Sequence, residues 1–290
     1  MTTMTFHAPE TVADACALLA TPGARVLAGG TDLIVQMRSG RIAPGAIVDL
    51  KRIPILTGIV ADAAGFTIGA ATRCTALGEH AVLAAAHPGV VEAAGLIGSV
   101  QVRNRATVAG NLCNASPAAD SVPALIAAGA IALIAGGKAA PGGTRELPVE
   151  HLPLGPGRTA LAPGEFVTAI RLPAAAARTS NAYQRLTPRT EMDIAIVGVG
   201  ASISLAADGT CTAARIALGA VGPTAVLADA SALVGSRFEP AALDAMAEAV
   251  QAACHPIDDK RGSAAYRTAM AAVLARRVVE IARQRAGAQS

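Results

Sequence analysis

The sequence of 290 residues has few aromatic side chains: no Trp, two Tyr and four Phe. Ala, Val, Ile and Leu must therefore fill most of its core. Its five cysteines show no CxxC spacing, which argues against a disulfide framework and against a zinc or iron–sulfur site of its own. The five histidines are scattered and form neither HxH nor HExxH, so we expect no metal site.

The common nucleotide-binding and nucleophile motifs are also missing. No GxGxxG follows a strand and no GxxxxGK[ST] occurs, which argues against a Rossmann fold and against a P-loop nucleotidase. A GxSxG nucleophile motif is absent as well. Any nucleotide or catalytic site must therefore use another design.

Charge and hydropathy exclude two further classes of protein. The excess of 24 Lys and Arg over 21 Asp and Glu gives a net charge of +3, too small and too dispersed for a nucleic-acid surface. The most apolar stretch, residues 122–135, is shorter than the roughly 20 residues of a membrane span and predicts a helix followed by a buried strand. The N-terminus shows no secretory signal, so we expect a cytoplasmic location.

Two glycine-rich segments are the most informative features that are present. AGGTDLI occupies residues 28–34, and TVAGNLCNASPAAD occupies residues 107–120. Glycines beside small polar residues let backbone N–H groups approach an anion without interference from Cβ atoms. Together the segments predict one site for an anionic group such as a diphosphate.

Local patterns predict short alternating elements in an α+β fold. Thr11 is expected to cap the first helix, and Ser116 to cap a helix with Pro117 at its first position. Asp208–Gly209 predicts a hairpin between two long strands. The expected helices are residues 11–19, 33–38, 76–86, 89–97, 116–128, 224–234, 240–253 and 263–285. The expected strands are residues 25–28, 46–50, 55–60, 66–69, 195–205 and 211–218.

Five motifs carry a family resemblance. They are AGGTDLI, GSVQVRNRATVAGNLCNASPAADSVPAL, GPGRTALAPGEFVTAIRLP, RTEMDIAIVGVGASI and GAVGPTAV. In this order, across residues 6–285, they resemble the FAD-binding medium subunit of molybdenum hydroxylases. That family includes the medium subunit of aerobic carbon monoxide dehydrogenase and the FAD portion of xanthine dehydrogenase. Five ordered motifs are much more specific than a single glycine loop.

The resemblance implies a fold of two α+β domains. The first, residues 1–175, is a two-part FAD-binding domain of the vanillyl-alcohol-oxidase type. The second, residues 176–290, is smaller and combines an antiparallel sheet with helices. A low-complexity stretch, PAAAARTS at residues 173–180, independently favours a boundary there.

FAD is the cofactor implied by the resemblance, and backbone donors of the first segment would bind its diphosphate. Ile97 and Val167 match positions that lie near or enclose the flavin. Asp120 would accept hydrogen bonds from a sugar or ribityl hydroxyl. Arg185, where many relatives have Lys, could stabilise the negative charge of reduced flavin. The full set of expected contacts is Ala28, Gly29, Gly30, Thr31, Asp32, Leu33, Ile97, Thr107, Ala109, Gly110, Asn111, Asp120, Val167 and Arg185.

Several of these residues have simpler explanations. Asp120 could be an ordinary acid at a helix N-terminus, and Asp32 could cap a helix while only its backbone contacts FAD. Arg185 could be a solvated surface charge. Ala109 stands where relatives often have Gly, so the second loop could sit slightly differently. Outside this set, Arg103 and Arg105 are expected to hold the loop or contact another subunit, and Cys113 to be a small core residue.

The function implied by the resemblance is electron transfer. A large subunit with the molybdenum cofactor would oxidise the substrate, and a small subunit with two [2Fe-2S] clusters would deliver electrons to FAD on this chain. The final acceptor would be NAD, a quinone, oxygen or another carrier. We expect a dimer of heterotrimers that reaches the inner face of the membrane only through the complex.

Two other functions compete with this one. A free-standing FAD oxidase would need its own substrate pocket, for which a chain so poor in aromatics offers little. A maturation protein that had lost FAD would be expected to lose its glycines, and both segments retain them.

Overall fold

The computed structural model describes residues 4–137 and 143–288. Its strands β1 to β14 are Thr5–His7, Ala24–Leu27, Ala46–Asp49, Ile59–Asp62, Gly65–Gly69, Ile131–Ala135, Thr144–Pro148, Pro153–Gly155, Arg158–Thr159, Phe166–Pro173, Thr179–Leu186, Val197–Leu205, Cys211–Gly219 and Val226–Ala228. Its helices α1 to α10 are Val12–Leu19, Leu33–Arg38, Cys74–Glu79, Ala81–Ala86, Pro88–Gly95, Val100–Arg103, Val108–Cys113, Ser121–Ala127, Pro240–Ala252 and Ala264–Ala288. Short 3-10 turns occur at Leu50–Arg52, Pro54–Leu56, Val149–His151 and Ser231–Leu233.

The first lobe is a small parallel sheet with the strand order β1-β3-β2. Helix α1 begins where predicted, because the Thr11 hydroxyl accepts a hydrogen bond from the Asp14 backbone N–H at 3.1 Å. Ala15 of α1 and Val48 of β3 are fully buried in one core cluster, together with Phe166 from β10. This lobe therefore shares its core with the strand that enters the next sheet.

The second lobe is a five-stranded sheet with the order β4-β5-β10-β6-β7, packed against helices α3 to α8. Its central strand β10 is paired antiparallel with β5 and β6, with an irregularity between Val167 and Ala169. Ile68, Leu125 and Ile170 are fully buried in its core. Both lobes thus meet along β10.

The C-terminal unit is a four-stranded antiparallel sheet with the order β11-β12-β13-β14, and α10 packs on β11 and β12. The hairpin predicted from Asp208–Gly209 is confirmed, since Val199 of β12 is paired with Leu218 of β13. The predicted α+β class with an antiparallel C-terminal sheet is likewise confirmed.

Polar contacts join α5 to β11 and to the end of β10. The Asn181 side chain accepts from the Gly89 N–H at 2.7 Å, and its amide lies 3.2 Å from His87 Nδ1. His87 Nε2 lies 2.9 Å from the Pro173 carbonyl. Glu92 accepts from the Tyr183 N–H at 3.0 Å. These buried contacts fix the C-terminal sheet against the second lobe.

Two predicted helices differ from those in the structure because a side chain accepts a hydrogen bond from a backbone N–H. The helix predicted for residues 116–128 begins at Ser121, whose N–H and hydroxyl are both bound by the Asn111 side chain. Pro123 then lies in the first helical turn, where its missing N–H is not needed. The helix predicted for residues 76–86 is divided at His80, whose side chain accepts from the Leu83 N–H at 3.1 Å.

Two further predictions about elements are corrected. Residues 224–234 form β14 and a 3-10 turn rather than a helix, because β13 offers an open edge to which residues 226–228 are paired. The strand predicted for residues 55–60 begins only at Ile59, after a 3-10 turn and Gly58, whose φ is +94°. No helix in the described part of the chain combines the length and the hydropathy required to cross a bilayer.

Candidate cofactor site

A cavity of about 760 Å³ lies between the first lobe and the second. Its volume falls within the range of about 300–1,000 Å³ that is typical of small-molecule and cofactor sites. Three stretches of chain form most of its wall: residues 19–36, 106–114 and 157–167. Both glycine-rich segments therefore face one space.

Twelve of the fourteen expected site residues line this cavity. Asp120 and Arg185 do not line it. The twelve are Ala28, Gly29, Gly30, Thr31, Asp32, Leu33, Ile97, Thr107, Ala109, Gly110, Asn111 and Val167.

Unused backbone donors are the main chemical feature of the first segment. The N–H groups of residues 29–32 donate no hydrogen bond to any residue within 4–137 and 143–288. Gly30 has a φ of +79°, a conformation that favours glycine. Consecutive unused donors on a cavity wall fit an anion such as a diphosphate.

The backbone of the first segment touches the residues that directly precede the second segment. A Cβ on Gly29 would lie 2.1 Å from the carbonyl oxygen of Arg105, so no side chain fits there. In the second segment, the Thr107 hydroxyl accepts from the Gly110 N–H at 2.9 Å and caps α7. The Gly110 donor is therefore already used within the chain. The Ala109 N–H has no such acceptor among the described residues and remains available on the cavity wall.

Asn114, which the sequence analysis did not select, joins the two segments. Its side-chain amide donates to Asp32 Oδ1 at 3.2 Å, and its carbonyl oxygen accepts from Gln36 at 3.0 Å. Asp32 makes no cap to its own helix. Burial raises the pKa of the Asp32 carboxyl. A signal existed in the sequence, since Asn111 and Asn114 are three residues apart and face the same side of a helix.

Another pair of residues at the cavity was also missed. Arg145 Nε donates to Glu165 Oε1 at 2.8 Å, and Arg145 Nη2 donates to Glu165 Oε2 at 2.7 Å. These hydrogen bonds lower the pKa of the Glu165 carboxyl. Glu165 lines the cavity, whereas Arg145 lies on the edge strand β7.

Asp120 and Arg185 form a buried ion pair behind the cavity wall, and Tyr183 is hydrogen-bonded to the Asp120 carboxylate. Arg185 Nη1 lies 2.6 Å from Asp120 Oδ2, and the Tyr183 hydroxyl donates to Asp120 Oδ1 at 3.0 Å. Burial raises the pKa of Asp120, although the Arg185 guanidinium opposes the change, and burial also raises the pKa of Tyr183 well above its usual value. Arg185 is therefore not a solvated surface charge, since its side chain is only 4% exposed.

The remaining residues near the site have structural contacts. Arg103 donates to the carbonyl of Gly98 at 3.2 Å, which confirms that it holds the loop after Ile97. Arg105 is exposed. Cys113 lies on the cavity wall, and burial raises the pKa of its thiol to about 12, so it stays protonated at neutral pH.

Known proteins match the chain over nearly its whole length. A family model described as the FAD binding domain in molybdopterin dehydrogenase matches residues 2–175. One described as the CO dehydrogenase flavoprotein C-terminal domain matches residues 181–282. The chain is 37% identical over 281 residues to the carbon monoxide dehydrogenase medium chain of Hydrogenophaga pseudoflava, covering 96% of each chain.

Two further matches agree with these. The chain is 30% identical over 288 residues to the xanthine dehydrogenase FAD-binding subunit of Escherichia coli O157:H7, covering 97% of each. A chain of carbon monoxide dehydrogenase from Hydrogenophaga pseudoflava that lacks the Mo-pyranopterin moiety superposes with a TM-score of 0.91, at 37% identity, covering 97% of this chain and 98% of that one. The chain therefore belongs to the family of FAD-binding medium subunits of molybdenum hydroxylases, the family of the xanthine dehydrogenase and aerobic carbon monoxide dehydrogenase medium subunits.

Proposed function

We propose that this chain is the FAD-containing electron-transfer subunit of a molybdenum hydroxylase complex. It takes electrons from the [2Fe-2S] clusters of a small subunit and passes them to NAD, a quinone, oxygen or another carrier. A large subunit with the molybdenum cofactor oxidises the substrate. The three subunits assemble as a dimer of heterotrimers in the cytoplasm, and the domain boundary of this chain lies near residue 175.

The observation that carries this proposal is the run of unused backbone donors at residues 29–32, on the wall of a cavity large enough for a cofactor. These N–H groups would hold the diphosphate without ordering any mobile side chain. The Ala109 N–H offers a further donor from the second segment. Ile97 and Val167 supply apolar surface for the flavin ring.

Bound FAD supplies the redox chemistry, because it accepts single electrons and can release two. The chain's own residues bind and orient it. Arg185 and Asp120 lie behind the cavity wall, where Arg185 contributes a fixed positive charge and Asp120 balances it. Asn111 links this pair to the cavity, since it lines the wall and binds Ser121, the residue after Asp120.

A free-standing oxidase would need an acid or base beside the flavin. Among the described residues, the ionisable side chains on the cavity wall are Arg25, Asp32, Cys113 and Glu165. Asn114 donates to Asp32, Arg145 is paired with Glu165, and Cys113 has its pKa raised to about 12. This set favours electron transfer over substrate chemistry.

The test is to purify the chain alone and after coexpression with the subunits encoded beside it, and to record the absorption spectrum. We expect flavin bands in at least the coexpressed sample, and no flavin in either sample would refute the proposal. Rapid oxidation of an alcohol or hydroxy acid by the isolated chain would support the oxidase instead.

A pair of glycine variants sharpens this test. Gly30→Val should empty the site, because Gly30 lies on the cavity wall and a Cβ there would lie 2.8 Å from Leu27 Cδ1. Gly40→Val is the matched control. Its φ of +71° imposes similar backbone strain, but nothing lies within 4 Å of a Cβ at that position. Flavin loss in both variants would indicate general strain rather than a cofactor site.

A further inference from the structure

A loop of residues 160–165, here called the arch, joins β9 to β10 and closes one side of the cavity. It makes close backbone contacts with two neighbours. A Cβ on Gly136, at the end of β6, would lie 2.1 Å from the Gly164 carbonyl oxygen. A Cβ on Gly164 itself would lie 3.6 Å from Ala20, which follows α1. The arch therefore extends from the second lobe to the first.

One ion pair fixes both ends of the arch. Arg145 on β7 is paired with Ile134 of β6, and Ile134 is paired with Val167 of β10. The Arg145 side chain therefore reaches across the sheet to Glu165. Besides its two bonds to Glu165, Arg145 Nη2 donates to the Ala160 carbonyl at 3.0 Å. Glu165 also accepts from the Ala162 N–H at 2.8 Å.

An exposed ion pair alone would contribute little to stability, because water and salt screen its charges. This pair differs because the Glu165 side chain is only 9% exposed and lines the cavity, and because the contact is bidentate. Without Arg145, an uncompensated carboxylate would face the cavity in which an anionic cofactor is expected. The pair therefore fixes the shape of the site and neutralises the charge of the Glu165 carboxylate.

The arch contacts both lobes beside the cavity, since its Leu161 packs against the core cluster of the second lobe. Ile97, Ala109 and Val167 belong to the core cluster of the second lobe. Leu19 and Phe166, which also line the cavity, belong to the cluster of the first lobe, where the arch contacts Ala20. The arch therefore borders the cofactor cavity where the two lobes meet.

We propose that Arg145 and Glu165 are a positioning pair that holds the arch against the cavity in which FAD is expected and so sets how long the cofactor stays bound. This inference rests on the proposed function.

The experiment uses the full chain with Glu165→Gln, Arg145→Met and the two changes combined. We expect each single variant to release FAD about tenfold faster, which corresponds to ~1.4 kcal/mol. The combined variant should release FAD no faster than the worse single variant, because both changes remove one interaction. FAD release is followed by the recovery of flavin fluorescence.

Glu146→Gln is the matched control. Glu146 adjoins Arg145 on β7, points to the opposite face and forms an ion pair with Arg171, so its loss should leave FAD release unchanged. Unchanged FAD release in both single variants, or additive losses in the combined variant, would overturn the inference alone. A wild-type chain that takes up no FAD would contradict the proposed function, and this inference with it.

Discussion

The side-chain amide of Asn114 donates to the carboxylate of Asp32 at 3.2 Å across a separation of 82 residues. This contact fastens the end of α7 to the residue that precedes α2. It holds together the two glycine-rich segments, where Gly29 of the first already lies against Arg105, two residues before the second. The shape of the cofactor site thus depends on one side chain that contributes no charge of its own.

Asn114→Ala is expected to weaken FAD binding about fivefold to tenfold, which corresponds to ~1–1.4 kcal/mol, because both of its side-chain hydrogen bonds are lost. The Asp32 and Gln36 side chains would both lose their partner, so the segments could separate. The dissociation constant for FAD measures the effect. Asn104→Ala is a suitable control, because Asn104 is exposed and its side chain makes no hydrogen bond to the described residues. Equal affinities in the two variants would contradict this role for Asn114.

Sequence patterns predicted the elements whose signals are local. The Thr11 cap, the helix at residues 33–38 and the hairpin at Asp208–Gly209 all depend on neighbouring residues, and all are confirmed. The start of α8 could not be predicted in this way. It is set by the Asn111 side chain, which binds Ser121 from another helix.

The same distinction applies to the site. Glycine loops are visible in a sequence because their backbone demands are local, and both loops line the cavity. The contact between Tyr183 and Asp120 joins residues 63 positions apart, and the one between Arg145 and Glu165 crosses a sheet. Such partners depend on strand order and register, which no local pattern specifies.

Gly29→Ala is expected to lower the free energy of unfolding by about 1–3 kcal/mol, as overpacking of a close contact does. The added Cβ would lie 2.1 Å from the Arg105 carbonyl oxygen and would push the segments apart. Urea unfolding and the flavin content of the purified chain should both report the change. In Gly78→Ala, a helical position with nothing within 4 Å, neither quantity should decrease. If Gly29→Ala kept the same stability and flavin content as Gly78→Ala, the loops would be shown to tolerate separation.

Arg185→Met is expected to destabilise the fold by about 3–5 kcal/mol, because it leaves the Asp120 carboxylate buried without its cation. Tyr183→Phe removes only one hydrogen bond to the same carboxylate and should cost about 0.5–1.5 kcal/mol. Combining Arg185→Met with Asp120→Asn should recover part of the loss, since no charge then remains unpaired. Urea midpoints rank the three variants. A single Arg185 variant as stable as the wild type would mean that the pair contributes no net stability.

Protonation of His87 is expected to make the fold less stable at mildly acidic pH. Burial lowers the pKa of His87 below its usual 6.5, and the neutral ring satisfies both neighbours, since Nε2–H donates to the Pro173 carbonyl while Nδ1 accepts from Asn181. The unfolded chain therefore takes up the proton first. The stabilisation present above pH 6.5 is lost as the pH falls from there through the lower folded-state pKa. Urea unfolding between pH 7.5 and 5 measures this loss, and His87→Gln, which cannot take up the proton, should show a shallower decline. Parallel pH profiles in the two proteins would assign the loss to other groups.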